Sequence, residues 1–245
     1  GVIKSLLREG IEPDIICGTS VGAMIGACYL AGNLVKLENW VLGSTRTDVL
    51  KFFNVKLGRS GFVDNDRLSR FLYQYVAGQG CQIENLHTPF TAVSTDLESG
   101  REVWLQEGEL ADAVRALMAL PGLFPAVRHE HRWLVDGGLV RNLPVDVARD
   151  MGADVVIAVD VGTKLAGKDE INSALAIVYQ MSGLLTVSNT NIQIATLGEN
   201  DVLISPDIGD KISSADFGKL DEAIPLGYEA TEAMQDQLEK YSLSE

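Results

Sequence analysis

Ser20 sits in the pentapeptide Gly18-Thr19-Ser20-Val21-Gly22, which has the form G-x-S-x-G, and Asp136 stands just before Gly137-Gly138. A serine hydroxyl attacks an acyl carbonyl only when a neighbour takes its proton and the resulting oxyanion is stabilised. The pentapeptide has the setting such a serine needs. It follows the apolar run Ile15-Ile16-Cys17 and opens a small-residue segment, Val21–Ala31. That strand–turn–helix order lifts the side chain to the end of a sheet. Gly18 and Gly22 suit a sharp turn in which a Cβ would obstruct the backbone. The start of the helix then favours negative charge nearby. By pattern alone the segment could be an inert, tightly packed glycine turn; its context favours a nucleophile.

The residue that takes the proton is less obvious. All three histidines, His87, His129 and His131, precede Asp136. The order Ser…acid…His, with histidine last, is therefore excluded with Asp136 as the acid, while an earlier acid paired with His129 or His131 stays open. A carboxylate acting directly as base is simpler. Asp136 ends the strand-like Trp133-Leu134-Val135, and two glycines let the backbone turn away from it. Strand ends are where open α/β sheets place their sites. A carboxylate is a weak base, so it must be partly desolvated to serve. An Asp-Gly-Gly in isolation is an ordinary turn; two such residues at separate strand ends, each with glycines, say more than either alone.

Other constellations say less. His129-Glu130-His131 would put two histidines on one strand face, but the spacing offers no third ligand, and no metal is expected. Val159-Asp-Val-Gly-Thr163 is similar to a phosphate loop of actin-like kinases, yet the charged loop Lys164–Lys168 follows it where a hairpin is needed. Gly18, Gly22 and Gly26 form no nucleotide-binding glycine motif. Asp96 reads as a turn residue.

Several elements must position the pair. Val2, Ile3, Leu6 and Leu7 repeat at helical spacing up to Gly10, and Asp14–Cys17 is a short strand before the helix Val21–Ala31. Residues 33–76 read as helices joined by the turn Gly58–Gly61; the aromatics Phe52, Phe53, Phe62, Phe71, Tyr73 and Tyr75 mark this segment as core or as a lid. Phe90–Ser94 and Glu102–Leu105 alternate as paired strands across Glu98–Gly100. A helix is predicted over Leu110–Leu120, a strand over Arg132–Val135, and a helix from Pro144 through Met151. Asp154–Val161 is the most strand-like run, apolar enough for burial on both faces in the middle of a parallel sheet. A helix over about Ile171 to Thr186, a strand over Val202–Ser205 and a helix over about Ile224 to Tyr241 complete the chain. Strands alternating with helices indicate an α/β sandwich, and no linker or repeat divides it.

The 245 residues carry 20 Lys+Arg against 34 Asp+Glu, a net charge of −14, with 46% apolar and 22% charged residues. That is globular composition, not disorder or coiled coil. The acidic balance argues against nucleic acid as a partner and disfavours strongly anionic membranes. Cys17, Cys28 and Cys81 form no metal or disulfide spacing and read as small buried or partly buried thiols. No apolar run is long enough to span a membrane.

Taken together, these residues resemble the patatin-like phospholipases, in particular their bacterial branch related to the catalytic domain of neuropathy target esterase. The likeness covers nearly the whole chain. It is carried by Gly18–Gly22, Thr91–Leu97, Pro121–Pro125, Leu134–Val145, Met151–Asp160 and Asp216-Phe217. It implies a three-layer α/β sandwich around a mostly parallel sheet. It also implies a Ser–Asp dyad at Ser20 and Asp136, and hydrolysis of phospholipid or related acyl esters through an acyl-serine without metal or cofactor. A catalytically weak lipid-binding or scaffold module, or an acyltransferase, are the alternative readings. Relatives begin with a strand and a Gly-rich oxyanion loop, whereas this sequence opens at what resembles the helix after that loop. The expectation is therefore a single domain over residues 1–245 without that strand and loop. The expected location is cytoplasmic or peripheral to a membrane, with secretion and homodimer formation left open.

Overall fold

The step from strand to helix at residues 16–30 sets the rest of the architecture. The computed structural model describes residues 1–44, 65–122, 124–162, 165, 167, 171–208 and 220–242. Strand β1 (Ile16–Gly18) runs parallel to β2 (Phe90–Asp96), with Ile16 opposite Phe90 and Gly18 opposite Ala92. β2 is buried along its whole length, which suits its β-branched and aromatic residues to the centre of a sheet. Its polar members are bonded: Thr91 Oγ1 accepts from Gln106 Nε2 at 2.9 Å, and Ser94 Oγ donates to the Val135 carbonyl at 2.7 Å.

Two hairpins extend the sheet. β3 (Glu102–Leu105) pairs antiparallel with β2 across a turn in which Asp96 accepts from Ser99 Oγ (2.6 Å) and the Glu98 N–H (3.2 Å). The Ser99 hydroxyl bond is the main reason the Asp96 carboxyl lies below its ordinary range, so its expected turn role holds. β4 (Val127–His129) and β5 (Arg132–Asp136) form the second hairpin, turning at Glu130 with φ 53, and β5 pairs antiparallel with β2. His129 thus ends β4 while His131 lies in the turn. They are exposed and do not share a strand face as expected.

Helices cover both faces. Besides α1 (Val2–Arg8), they are α2 (Ser20–Leu30), α3 (Leu34–Gly43), α4 (Asn65–Phe71), α5 (Leu110–Leu117), α6 (Val145–Asp150), α7 (Ala174–Ile194), α8 (Leu220–Glu232) and α9 (Gln235–Leu238). Ile16 packs into the main core with Ala23, Ala27, Phe90, Leu110, Val114 and Leu134. Its neighbour Cys17 packs instead with Leu143, Val145, Ala148, Val156 and Ala158. Successive strand residues point to opposite faces, so the sheet is the middle of three layers. The expected α/β sandwich is present. Its sheet is mixed: parallel at β1–β2, and antiparallel where the short hairpins return.

The strongest strand signal forms β6 (Ile157–Val159), parallel to β7 (Val202–Ile204) in a separate two-stranded sheet and not in the middle of the larger one. Both faces are covered nonetheless. Val156 and Ala158 face the cluster around Val145, and Ile157 packs with Leu6, Ile11, Val202 and Leu238. α1 crosses α8 at two glycines, where a Cβ on Gly227 would stand 2.8 Å from the Val2 nitrogen. The last helix, expected as one piece, stops at Glu232 and resumes as α9.

Trp40, Phe71 and Tyr75 stack with centroids 4.8 to 5.5 Å apart, and Leu37, Leu68, Phe71, Leu72 and Val76 of the 33–76 segment join the main core, while Val35 and Leu42 are exposed. Phe52, Phe53, Phe62, the turn Gly58–Gly61 and the pair Asp216-Phe217 lie outside the described residues. The cysteines are free; Cys17 Sγ donates to the Pro144 carbonyl (3.3 Å) and Cys28 Sγ to that of Tyr75 (3.5 Å). Burial pushes both thiols up to about 12. Among the described residues, no helix is long and apolar enough to cross a membrane.

Candidate active site

β1 ends at Gly18, Thr19 is extended, and α2 begins immediately at Ser20. Reversing direction within so few residues forces Ser20 to φ 51, a left-handed conformation that is uncommon for a residue with a Cβ. Gly18 makes the turn sterically accessible, because a Cβ there would lie 2.7 Å from the Ala23 nitrogen. Gly26 lets α2 approach β1, since its Cβ would stand 2.8 Å from Ile16 Cγ2. Gly22 differs from expectation: a Cβ at that position meets nothing within 4 Å, so packing does not require glycine there. It is exposed on the first turn of α2, two residues after Ser20.

Asp136 is the last residue of β5. Its backbone is fixed on both sides, with its N–H donated to the Ala119 carbonyl (3.1 Å) and its carbonyl accepting from Thr95 Oγ1 (3.0 Å). Gly137 and Gly138 then turn the chain away. A Cβ on Gly137 would stand 2.1 Å from the Val93 carbonyl oxygen, so no other residue fits. Gly138 donates its N–H to Asp136 Oδ1 at 2.8 Å. The Ser20 hydroxyl stands near enough to the same carboxylate to favour its ionised form. Asp136 is only 4% exposed, and desolvation raises its carboxyl to about 6; the Gly138 hydrogen bond and the nearby Ser20 hydroxyl act in the opposite direction.

The structure thus brings Ser20 and Asp136 together. It puts Gly18 and Gly137 where a Cβ would strike backbone, and Gly138 where one would press on the side chains of Asn142 and Asp136. The histidines stand elsewhere: His129 ends β4 and His131 lies in the turn before β5, whose length of about 13 Å separates that turn from Asp136. His87 is exposed before β2. Among the described residues, no group of three His, Cys, Asp or Glu side chains is arranged to hold a metal ion.

Residues beyond these also hold the site. Thr19 Oγ1 donates to the Arg141 carbonyl (2.8 Å), tying the serine turn to the aspartate turn. Arg141 is itself held by Glu102 and Asp146. From α7, Thr186 Oγ1 reaches the Gly138 carbonyl at 3.3 Å and Asn189 Nδ2 the Leu139 carbonyl at 2.7 Å. Sequence reasoning misses these two. Their signal is the spacing Ser182, Thr186, Asn189, Gln193, which is uncharged polar residues repeating at helical period.

The family model for patatin-like phospholipases matches residues 1–149, a span that holds both Ser20 and Asp136. The chain belongs to the patatin-like phospholipase family. It is 33% identical to an NTE family protein of Mycobacterium tuberculosis over 167 residues, covering 68% of this chain and 46% of that protein. It is 29% identical to patatin-like phospholipase domain-containing protein 7 of Mus musculus over 269 residues, and 28% identical to protein 6 of Homo sapiens over 270. Those two alignments cover 94% and 96% of this patatin-like chain and 19% of each relative. The chain therefore spans less than half the length of these relatives. The alignments with proteins 6 and 7 take in far more of the chain than the 149 residues of the family match.

Proposed function

We propose that this chain is the catalytic part of a serine lipid acyl hydrolase, with Ser20 as nucleophile and Asp136 as general base. The observation that carries the reading is the placing of a strained, half-buried Ser20 beside the buried Asp136, a carboxylate that burial has raised to about 6. At neutral pH such a group is mostly ionised, and it is more basic than an ordinary aspartate.

In the first half-reaction Ser20 Oγ forms a bond to the ester carbonyl carbon as its proton passes to Asp136. The first turn of α2 supports the oxyanion, with the N–H of Val21 the donor that follows the nucleophile. Collapse breaks the ester C–O bond, and the alcohol leaves with the proton from Asp136. Water then gives a proton to Asp136 and attacks the acyl-serine, and the acid departs as Oγ regains its hydrogen. Membership of the family and the names of the relatives support a lipid ester as substrate. The charge of −14 favours neutral or zwitterionic headgroups.

Fluorophosphonate labelling of the intact protein tests the assignment. Label is expected on Ser20 and absent in Ser20→Ala. Asp136→Asn is expected to lower hydrolysis of p-nitrophenyl butyrate by roughly 10²–10⁴-fold. Absence of label, together with variants that hydrolyse the ester as well as the parent, would overturn it.

A further inference from the structure

Helix α7 is turned inside out. Its buried residues are Ser182, Thr190 and Gln193, and Thr186 and Asn189 share that face. Four of these five reach groups on other elements: Thr186 the Gly138 carbonyl, Asn189 the Leu139 carbonyl, Thr190 the Asn142 amide and Gln193 the region of Asp146. Its outward face carries Ile177, Val178, Met181, Leu184, Leu185 and Ile192, all exposed, with Met181 at 59% and Ile192 at 58%. A surface helix ordinarily has the reverse arrangement. No Asp, Glu, Lys, Arg or His occurs between Ile171 and Gly198, although the chain as a whole carries −14. So contiguous an apolar face marks an interaction surface.

We propose that this outward face of α7 docks onto zwitterionic phospholipid bilayers, lying in the interface without crossing it; the proposal rests on the reading of Ser20 and Asp136 as a lipid acyl hydrolase. Charge selects the occupant. A neutral face suits a surface without net charge, whereas a second copy would bring another −14 against the first, and an anionic bilayer would repel both. Position supports it too. The inward side of the same helix holds the turn that follows Asp136, and the site where a Gly138 Cβ would sit is 3.2 Å from Asp136 Oδ1 and 3.4 Å from Thr186 Oγ1. The docked surface would therefore lie about one helix diameter, roughly 10 Å, from the dyad. Val21, 40% exposed, places a further apolar side chain next to Ser20. Apolar burial of this kind gives reversible interfacial binding.

Co-sedimentation of the full chain with phosphatidylcholine vesicles tests the proposal, using Ser20→Ala so that no hydrolysis intervenes. Retention is expected, falling on the order of tenfold or more when Met181→Glu and Leu185→Glu are combined, and falling also as anionic lipid is added. With Ser20 intact, the double variant should hydrolyse p-nitrophenyl butyrate like the parent but lose hydrolysis of vesicle lipid. Should the dyad reading fail, no ester is turned over, yet the sedimentation result still stands by itself. Should the double variant not fold, Met181→Trp gives a second readout: brominated phosphatidylcholine should quench the fluorescence that the substitution adds. No retention of the parent, equal retention of the double variant, or added fluorescence that the brominated lipid leaves unquenched overturns the proposal. So does a dimer that the substitutions convert to monomer without any vesicle retention, since a second copy would then be the occupant.

Discussion

Asp136 is held in a place that suits its proposed task and penalises the fold. In an unfolded chain an aspartate titrates near 3.9, whereas here burial raises it to about 6. The folded state therefore binds the proton more tightly. Between about pH 4 and pH 6 the unfolded chain holds fewer protons than the folded one, so this residue makes stability fall as pH rises, and above that window the loss is constant. Its upper bound is about 3 kcal/mol, taking about 1.4 kcal/mol per pKa unit. Asp136→Asn keeps an acceptor for the Gly138 N–H and removes the charge. It is expected to melt higher than the parent at pH 8 and to lose that advantage at pH 4, while parental activity drops as pH falls through about 6. Equal melting differences at both pH values would show that the buried charge is not what costs stability. The proposed pair is legible in the sequence because Ser20 and Asp136 each stand at a strand end beside glycines. Thr186 and Asn189 are not, because hydroxyl and amide side chains carry no chemical signature until a partner carbonyl is located.

At the scale of elements, the turn between β1 and α2 depends on its glycines unequally. Gly18→Ala drives a Cβ against the Ala23 backbone and is expected to destabilise by more than about 2 kcal/mol, or to prevent folding. Gly22→Ala enters open space within a helix and is expected to leave stability unchanged or raise it by up to about 1 kcal/mol. Urea denaturation of the two variants checks the contrast, and similar losses in both would refute it. The pentapeptide pattern treats these glycines alike; only the position of the returning helix tells them apart. The same limit explains α7. Local preference ends that helix near Thr186, because Thr186-Val-Ser-Asn-Thr-Asn191 is poor in helix formers. The helix continues to Ile194, and the bonds its polar side chains make to residues 138–146 outweigh that preference. β6 is legible as a doubly buried strand, but its partner β7 lies more than forty residues on, beyond what periodicity reveals.

Across the whole molecule, Asp201 is a junction. Its carboxylate accepts from the N–H groups of Val156 (2.8 Å) and Gly198 (2.7 Å) and from Arg149 Nη2 (2.5 Å), joining β6, the start of β7 and α6. Desolvation alone would raise its pKa, but the Gly198, Val156 and Arg149 bonds outweigh that and hold it below the ordinary value. The stability it supplies is present above about pH 4 and is lost as pH falls through the depressed value. Asp201→Asn is expected to lose about 2–4 kcal/mol in chemical denaturation at pH 7, and a loss below about 0.5 kcal/mol would refute the junction. Another seam closes the molecule near the serine turn, where the Cys17 thiol is pressed against the Pro144 carbonyl. Pushed up to about 12, that thiol is almost entirely protonated at neutral pH, and so it resists alkylation while the seam is shut. Its reaction is expected to speed up when β1 and the approach to α6 part. Its modification rate is thus a stopwatch built into the chain, timing the breathing of the layer beneath Ser20 separately from unfolding of the whole.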